Sequence, residues 1–334
     1  MLVLVPGTLV LLFISLFTGR WLDFGFSLQP SEFAKLAVIL LLAFLLTKFQ
    51  DPERGGAGTK AFKYSLIATI VPCLLIVKDN LSTALLLGVV SFCMMMIARV
   101  ETKKLMIYMA VVVAAISILL SISVMVYRYE QSTGGSVPVL SDLRVSTWGG
   151  RVVRFFEGSD VPAYEEKITD KNYQEQHARM AVANSNVVGV WPGNSRARDF
   201  LPEAYSDFIY AIILEETGLV GGIFVIALYL SLLLRAGYIA RRCEKAYPAF
   251  LITGLAMMIV FQALINMSVS VGIMPVTGQP LPLVSRGGTS FVLTSFYFGI
   301  MISVSRFAKQ TGQSDSAVES PTEESGDISA PNPV

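Results

Sequence analysis

The apolar residues of this chain come in blocks, and a block of about 17 to 25 such residues is long enough to cross a bilayer as an α-helix. Between the blocks lie short charged clusters, unlike the finely interleaved polar residues of a soluble domain. Backbone groups in hydrocarbon have no water to bind, so only helices or a closed barrel can span it. Eight blocks are present: Met1 to Phe17, Glu32 to Phe49, Tyr64 to Val77, Leu81 to Ala98, Leu105 to Tyr127, Phe208 to Leu234, Ala249 to Val269 and Gly288 to Val304. The third is short and contains Pro72, and only Lys78, Asp79 and Asn80 part it from the fourth, which predicts a tight helical hairpin.

Composition agrees with an all-α polytopic membrane protein. Hydrophobic residues make up 53% of the chain and charged ones 15%, against roughly 25% charged in a soluble domain. Those values exclude a disordered chain, a nucleic-acid binder and an ordinary soluble enzyme. The formal net charge is +1, which points to no partner; the placement of the charges says more. Cys73, Cys93 and Cys243 lie in or beside apolar blocks, so buried thiols are expected rather than a disulfide framework. With one histidine, His177, and no cysteine pair at zinc spacing, no metal site is expected.

Short loops rich in Lys and Arg stay in the cytoplasm. Here they are Lys48 to Lys63, Arg99 to Lys104, Arg235 to Lys245, and the exit at Arg306 and Lys309. Eight alternating spans put all of these on one side and both termini with them. Gly19 to Ser31, Lys78 to Asn80, Arg128 to Ser206 and Ser270 to Gly287 then face outward. Met1 opens an apolar block without a positive leader or a small-residue cleavage site, so no signal peptide is expected. Residues 311–334 carry acidic but no basic side chains among Ser, Pro and Gly, and are expected to form a disordered cytoplasmic tail.

The segment from Arg128 to Ser206, between the fifth and sixth spans, is too long for a connector. It contains Trp148, Phe155, Phe156, Tyr164, Tyr173 and Trp191, and Tyr173 to Asn184 has the composition of a short amphipathic helix. A folded outer cap fits it. Its last part, Gly193 to Asp207, is dense in polar side chains and leads directly into apolar Phe208. Asp207 therefore sits where water meets hydrocarbon, and partial desolvation there makes a carboxylate a better proton acceptor. Alternatively it caps the following helix. Glu215 and Glu216 lie two turns on, either paired with a cation from another helix or facing a polar interior. Glycine and proline crowd Asn266 to Thr289, which predicts irregular backbone facing a site. Arg286, Arg151 and Arg154 are candidate phosphate ligands, although a lone arginine is more often a headgroup anchor.

These residues resemble the SEDS family, which includes the FtsW and RodA peptidoglycan polymerases. The resemblance rests on Arg20-Trp21, on Gln29-Pro30-Ser31-Glu32-Phe33-Ala34-Lys35-Leu36, on Leu81-Ser82-Thr83-Ala84 and on Arg151 to Phe156. It continues through Gly193-Asn194-Ser195, Leu201-Pro202-Glu203-Ala204, Asp207-Phe208-Ile209, Glu215 to Leu219, and Pro275 to Gly288. The order matches the family, and the resemblance implies that residues 1–310 form one transmembrane domain with an outer catalytic loop at 128–207.

The resemblance implies a ten-helix fold, of which this chain lacks the first two helices. It also implies polymerisation of lipid II into glycan strands by inverting glycosyl transfer at the outer face of the cytoplasmic membrane, in division or elongation. Asp207 matches the family's catalytic base. Arg198, Arg151 and Arg154 would stabilise the departing diphosphate, while Glu32, Lys35, Glu203 and Glu216 would support the pocket. No resident cofactor is implied, and the chemistry is metal-independent or weakly assisted by a divalent cation. The implied partners are a single-span class B penicillin-binding protein, which supplies the transpeptidase, and other division or elongation proteins, with lipid II and membrane lipids as ligands. Two departures stand out: Asp79-Asn80 and Ser82 replace a usual Pro-Asp and glycine, and Arg286 stands at a common tyrosine. A flippase lined by Glu215 and Glu216, or a scaffold for the division machinery, is the alternative reading.

Overall fold

The computed structural model describes residues 4–18, 22–23, 27–51, 55–78, 80–133, 145–157, 172–200 and 205–318. The first apolar helices are α1 (Leu4–Thr18), α2 (Pro30–Lys48), α3 (Thr59–Val77), α4 (Leu81–Ile97) and α5 (Thr102–Thr133). The segment between the fifth and sixth spans contributes α6 (Val145–Glu157), α7 (Tyr173–Asn184) and the single turn α8 (Ala197–Phe200). The bundle is completed by α9 (Ile209–Arg241), α10 (Ala246–Ser270) and α11 (Gly288–Val318). Two short antiparallel hairpins sit in connections, β1 (Leu22–Asp23) with β2 (Ser27–Leu28), and β3 (Gln50–Asp51) with β4 (Gly56–Ala57).

Six helices are long and apolar enough to cross a membrane: α2, α3, α5, α9, α10 and the Gly288–Ala308 part of α11. The predicted first and fourth spans, α1 and α4, are apolar but shorter. Several boundaries move outward from the hydropathy blocks. Helix α3 starts at Thr59 rather than Tyr64, because Ala61 is fully buried and packing carries the helix past the point where hydropathy falls. At about 1.5 Å per residue, α5 and α9 approach 50 Å. That exceeds the ~30 Å of hydrocarbon, so their ends stand outside it. Helix α11 runs to Val318, past the expected start of the tail at Thr311. Once a helix is nucleated each further residue adds a bond at little cost, and the first proline beyond is Pro321. Residues 319–334 lie outside the described residues.

Helices α2 and α10 occupy the centre of the bundle. Each is buried along most of its length, whereas α5 is exposed almost throughout to its surroundings. Ile39 and Leu42 of α2, Leu87, Val90 and Met94 of α4, and Leu255 and Met258 of α10 form the middle of the core. Their close approach depends on Gly254, where an added Cβ would lie 2.8 Å from Met94 Sδ and 2.9 Å from Ile39 Cγ2. Without solvent-driven burial between helices in lipid, such small-residue contacts are what bring backbones together. Local signals set the ends. Pro30 opens α2, with Glu32 in its first turn and Lys48 in its last. Asn80 caps α4 by accepting the amide of Thr83 at 3.2 Å.

The segments expected on the inner side meet at one end of the bundle. Ala57 N–H donates to Ala98 O at 2.9 Å, and Lys104 Nζ to Thr59 Oγ1 at 2.7 Å. At the other end, Asn80, Arg151, Asp207 and Thr277 come together around one cavity.

Candidate active site

Asp207 is fixed by what surrounds it. Phe208, the next residue, is 1% exposed and packs with Ala178 and Ala181 of α7 and with Ala211, Ile212 and Val269. That anchor ties the start of α9 to α7 and α10. The N-cap of α9 is Phe208, whose own side chain makes no capping bond. Asp207 thus stands one residue ahead of the cap. Its half-buried carboxylate accepts the hydroxyl of Ser206 at Oδ1, 3.1 Å away.

The turn carrying Asp207 is held from two sides. The loop Val271 to Gly287, irregular as expected, supplies one clamp: Ser285 Oγ donates to Ser206 O at 2.5 Å and Arg286 N–H to Tyr205 O at 2.8 Å. Helix α10 supplies the other, since Asn266 Nδ2 donates to Asp207 O at 2.8 Å and to Gln279 O at 2.7 Å. The loop's own carbonyls are satisfied from within the bundle, by Gln262 Nε2 to Pro280 O at 3.0 Å and by Tyr229 OH to Pro282 O. Irregular backbone at membrane depth survives only with partners of this kind.

Asp207 opens on a cavity of about 680 Å³. Its polar end gathers Asp207, Asn80, Thr277 and Arg151, with Trp148 at the same rim. From there Leu81, Leu85 and Val89 line a wall that descends α4 for about 12 Å. Leu120 of α5 and Phe261, Leu264 and Ile265 of α10 complete this apolar part. A headgroup fits at one end and a hydrocarbon chain along the other.

Helix α6 brings Trp148 and Arg151 to this rim. It was not anticipated as a helix, yet it lies against α5 as closely as two backbones can. At Gly149 an added Cβ would fall 2.0 Å from Ser123 O, and at Gly150 one would fall 2.9 Å from the Tyr127 ring. Arg151 Nη1 then donates to Val276 O at 2.9 Å, joining α6 to the α10–α11 loop. Gly149→Ala is expected to push α6 off α5 by on the order of 1 Å. A misplacement of that size costs roughly 100-fold in rate. Turnover by the detergent-stable variant, compared with wild type, checks it.

The other candidates separate. Arg154, Arg198, Arg286 and Glu216 are not among the described residues lining this cavity. Arg154 follows Arg151 by one turn of α6, Arg198 donates its backbone N–H to Ser195 Oγ at 3.1 Å, and the Arg286 side chain is exposed. Glu203 lies outside the described residues. Glu32 and Lys35 form a buried ion pair at 2.6 Å behind the cavity, and Lys35 Nζ also donates to Gln262 Oε1 at 2.8 Å. Gln262 is the residue that holds Pro280 O, so the pair reaches the site loop through one amide.

Glu215 has a separate role. It is 1% exposed and accepts the Ser195 hydroxyl at 2.5 Å and the Ala197 amide at 3.2 Å. Just beyond it α9 breaks at Gly218, and the segment Asn186 to Val190 fills the break with main-chain bonds. Leu219 N–H donates to Asn186 O at 3.2 Å and Val190 N–H to Glu215 O at 2.9 Å. The acids that the flippase reading would set along a path thus precede a helix break that the outer segment fills. Sequence reading missed Thr83, Gln262, Asn266 and Gln279. Two amides four residues apart within an apolar span are costly in lipid, and that spacing was the available signal.

A model of the cell cycle protein family of FtsW, RodA and SpoVE matches residues 1–310. The chain belongs to that family. Among curated FtsW/RodA/SpoVE relatives, the probable peptidoglycan glycosyltransferase FtsW of Bacillus subtilis is 31% identical over 290 residues, 85% of this chain and 66% of that protein. The peptidoglycan glycosyltransferase MrdB of Escherichia coli is 28% identical over 299 residues, 88% of this chain and 73% of that one. This member of the family therefore spans about two thirds to three quarters of such relatives. Its fold resembles a chain of a peptidoglycan synthase complex that coordinates polymerisation and crosslinking, with a TM-score of 0.66, 22% identity, and coverage of 92% and 81% of the two chains. It also resembles the crystal structure of the rod shape determining protein RodA of Thermus thermophilus, with a TM-score of 0.56, 21% identity, and coverage of 91% and 76%.

Proposed function

We propose that the protein is a peptidoglycan glycosyltransferase that polymerises lipid II, a multi-pass enzyme of the cytoplasmic membrane with its site on the outer face and its basic loops inside. The observation that carries this reading is the amphiphilic cavity, with a carboxylate at its polar end and an apolar wall running down α4 and α10. A lipid-linked sugar has that same division. Its saccharide and diphosphate belong at Asp207 and Arg151, and its isoprenoid along Leu85, Val89 and Phe261.

In this mechanism Asp207 takes the proton from the 4-hydroxyl of the acceptor N-acetylglucosamine as that oxygen attacks the anomeric carbon of the donor N-acetylmuramic acid. The new glycosidic bond forms with inversion, and the bond to the diphosphate breaks, its electron pair leaving on the phosphate oxygen. Arg151, at the same cavity, offers positive charge where that oxygen becomes anionic. Trp148 offers an aromatic face to a sugar ring. Crosslinking is assigned to a class B penicillin-binding protein, in keeping with the resemblance to a chain of a synthase complex that coordinates polymerisation and crosslinking.

The experiment is polymerisation of purified lipid II by the protein in detergent, alone and with a class B partner. Glycan strands that grow with time, with release of undecaprenyl diphosphate, are the expected result. Transbilayer movement of lipid II in proteoliposomes with no polymer would favour the flippase reading instead.

A further inference from the structure

Asn266 and Gln279 are buried beside the turn of the candidate base, and the mechanism above does not use them. Asn266 is 1% exposed and Gln279 is 2% exposed. Both hydrogens of Asn266 Nδ2 are spent, one on Asp207 O at 2.8 Å and one on Gln279 O at 2.7 Å. Two carbonyls can be met only by N–H groups, so this amide has a single orientation. Its Oδ1 has no hydrogen-bond partner among the described residues. Gln279 is in turn fixed at its side chain, where Nε2 donates to Thr83 Oγ1 at 2.7 Å. Thr83 is fully buried in the first turn of α4, and its amide is the one Asn80 caps. One chain of bonds thus runs from α4 through the site loop and α10 to the main chain of Asp207. Gly278, beside Gln279, lies so near that a Cβ there would be 3.6 Å from Asp207 Oδ2.

We infer that Asn266 is a positioning residue for Asp207, and that Gln279 and Thr83 brace it by fixing the loop that Asn266 holds. The inference rests on the reading of Asp207 as the base. Its physical content is that a proton transfer and an in-line attack demand the carboxylate within a few tenths of an ångström of one place. A turn of non-helical backbone does not supply that precision; a directional bond from a buried amide, itself held by a second bond to Gln279 O, does.

Two variants test it. Asn266→Asp preserves size and shape but removes both donors and aims an oxygen at two carbonyl oxygens. Thr83→Val is isosteric, touches neither Asp207 nor the substrate, and removes only the acceptor of Gln279 Nε2. Steady-state kinetics with lipid II should show kcat lowered about 100-fold in Asn266→Asp and about 10-fold in Thr83→Val. KM should stay within about threefold of wild type in both, because lost positioning acts on the transition state and lost shape acts on binding. Wild-type kcat in both folded variants overturns the inference, and so does a raised KM at unchanged kcat. Should Asn266→Asp not fold, Thr83→Val decides alone by the same criteria. Asp207→Asn is measured beside them. If it is inactive while Asn266→Asp and Thr83→Val run at wild-type rate, the positioning idea falls and the base survives. If Asp207→Asn is fully active, both fall.

Discussion

Asp207→Asn is expected to lower the rate of lipid II polymerisation by at least about 10² to 10⁴, the usual contribution of a general base, while leaving the protein folded. The amide keeps the volume of the carboxylate and can still accept the Ser206 hydroxyl that reaches Oδ1 at 3.1 Å. The bonds that hold the turn, from Asn266 and from Arg286 N–H, go to main-chain carbonyls and do not depend on the side chain. Phe208 stays anchored among Ala178, Ala181 and Val269. What is lost is a group able to take a proton from an alcohol. The measurement is glycan formed per minute by wild type and variant, with size-exclusion profile and thermal midpoint in detergent as controls. Equal rates in two well-folded proteins would remove Asp207 from the chemistry and leave the amphiphilic cavity as a binding site only.

The second large effect concerns stability. Gly218 lies at the break in α9 with φ 71° and ψ −170°, a region open essentially to glycine alone. An added Cβ would be 2.3 Å from Val187 O and 2.5 Å from Gly189 N, and Gly189, at φ 76°, faces it reciprocally with its own Cβ position 2.5 Å from Gly218 N. Gly218→Ala should therefore destabilise the protein twice over, by backbone strain and by driving the Asn186 to Val190 segment away. Strain of this kind costs about 1 to 3 kcal/mol and overpacking another 1 to 3. The undocked segment would also take Ser195 and Ala197 from the buried carboxylate of Glu215. A fall of several degrees in the thermal midpoint, with faster proteolysis between Asn184 and Ser195, is the expected reading. A midpoint equal to wild type would show that α9 straightens without penalty when Gly218 is replaced.

Much of this architecture was legible from residue order, and the particular elements show why. Helices α2, α4 and α10 were found because transfer of apolar side chains into lipid is additive along a segment and needs no knowledge of neighbours. The amphipathic stretch Tyr173 to Asn184 became α7 with those same limits, and the Gly- and Pro-rich segment after α10 became irregular backbone packed inside the bundle. Helix α6 escaped notice. Its Gly149-Gly150 pair reads as a helix breaker in isolation, and serves here to let α6 rest on Ser123 and Tyr127. The cap reading of Asp207 rested on an acid beside a helix start, which sequence cannot tell from an acid one residue ahead of the cap.

The sequence by itself determined which segments form apolar helices, where the polar constellation before Phe208 gives way to one, and which family the motifs resemble, because each follows from local hydropathy or contiguous residues. Only the tertiary structure decided what Asp207 touches. Its carbonyl is held by Asn266, 59 residues away, and the loop beside it is pinned to Thr83, 196 residues from Gln279. It likewise decided that Arg151 shares the cavity with Asp207, and that Glu215 holds the outer segment instead of lining a path. Burial in lipid is a property each residue carries along the chain, whereas a hydrogen bond is a property of a pair, and only the folded bundle brings those pairs together.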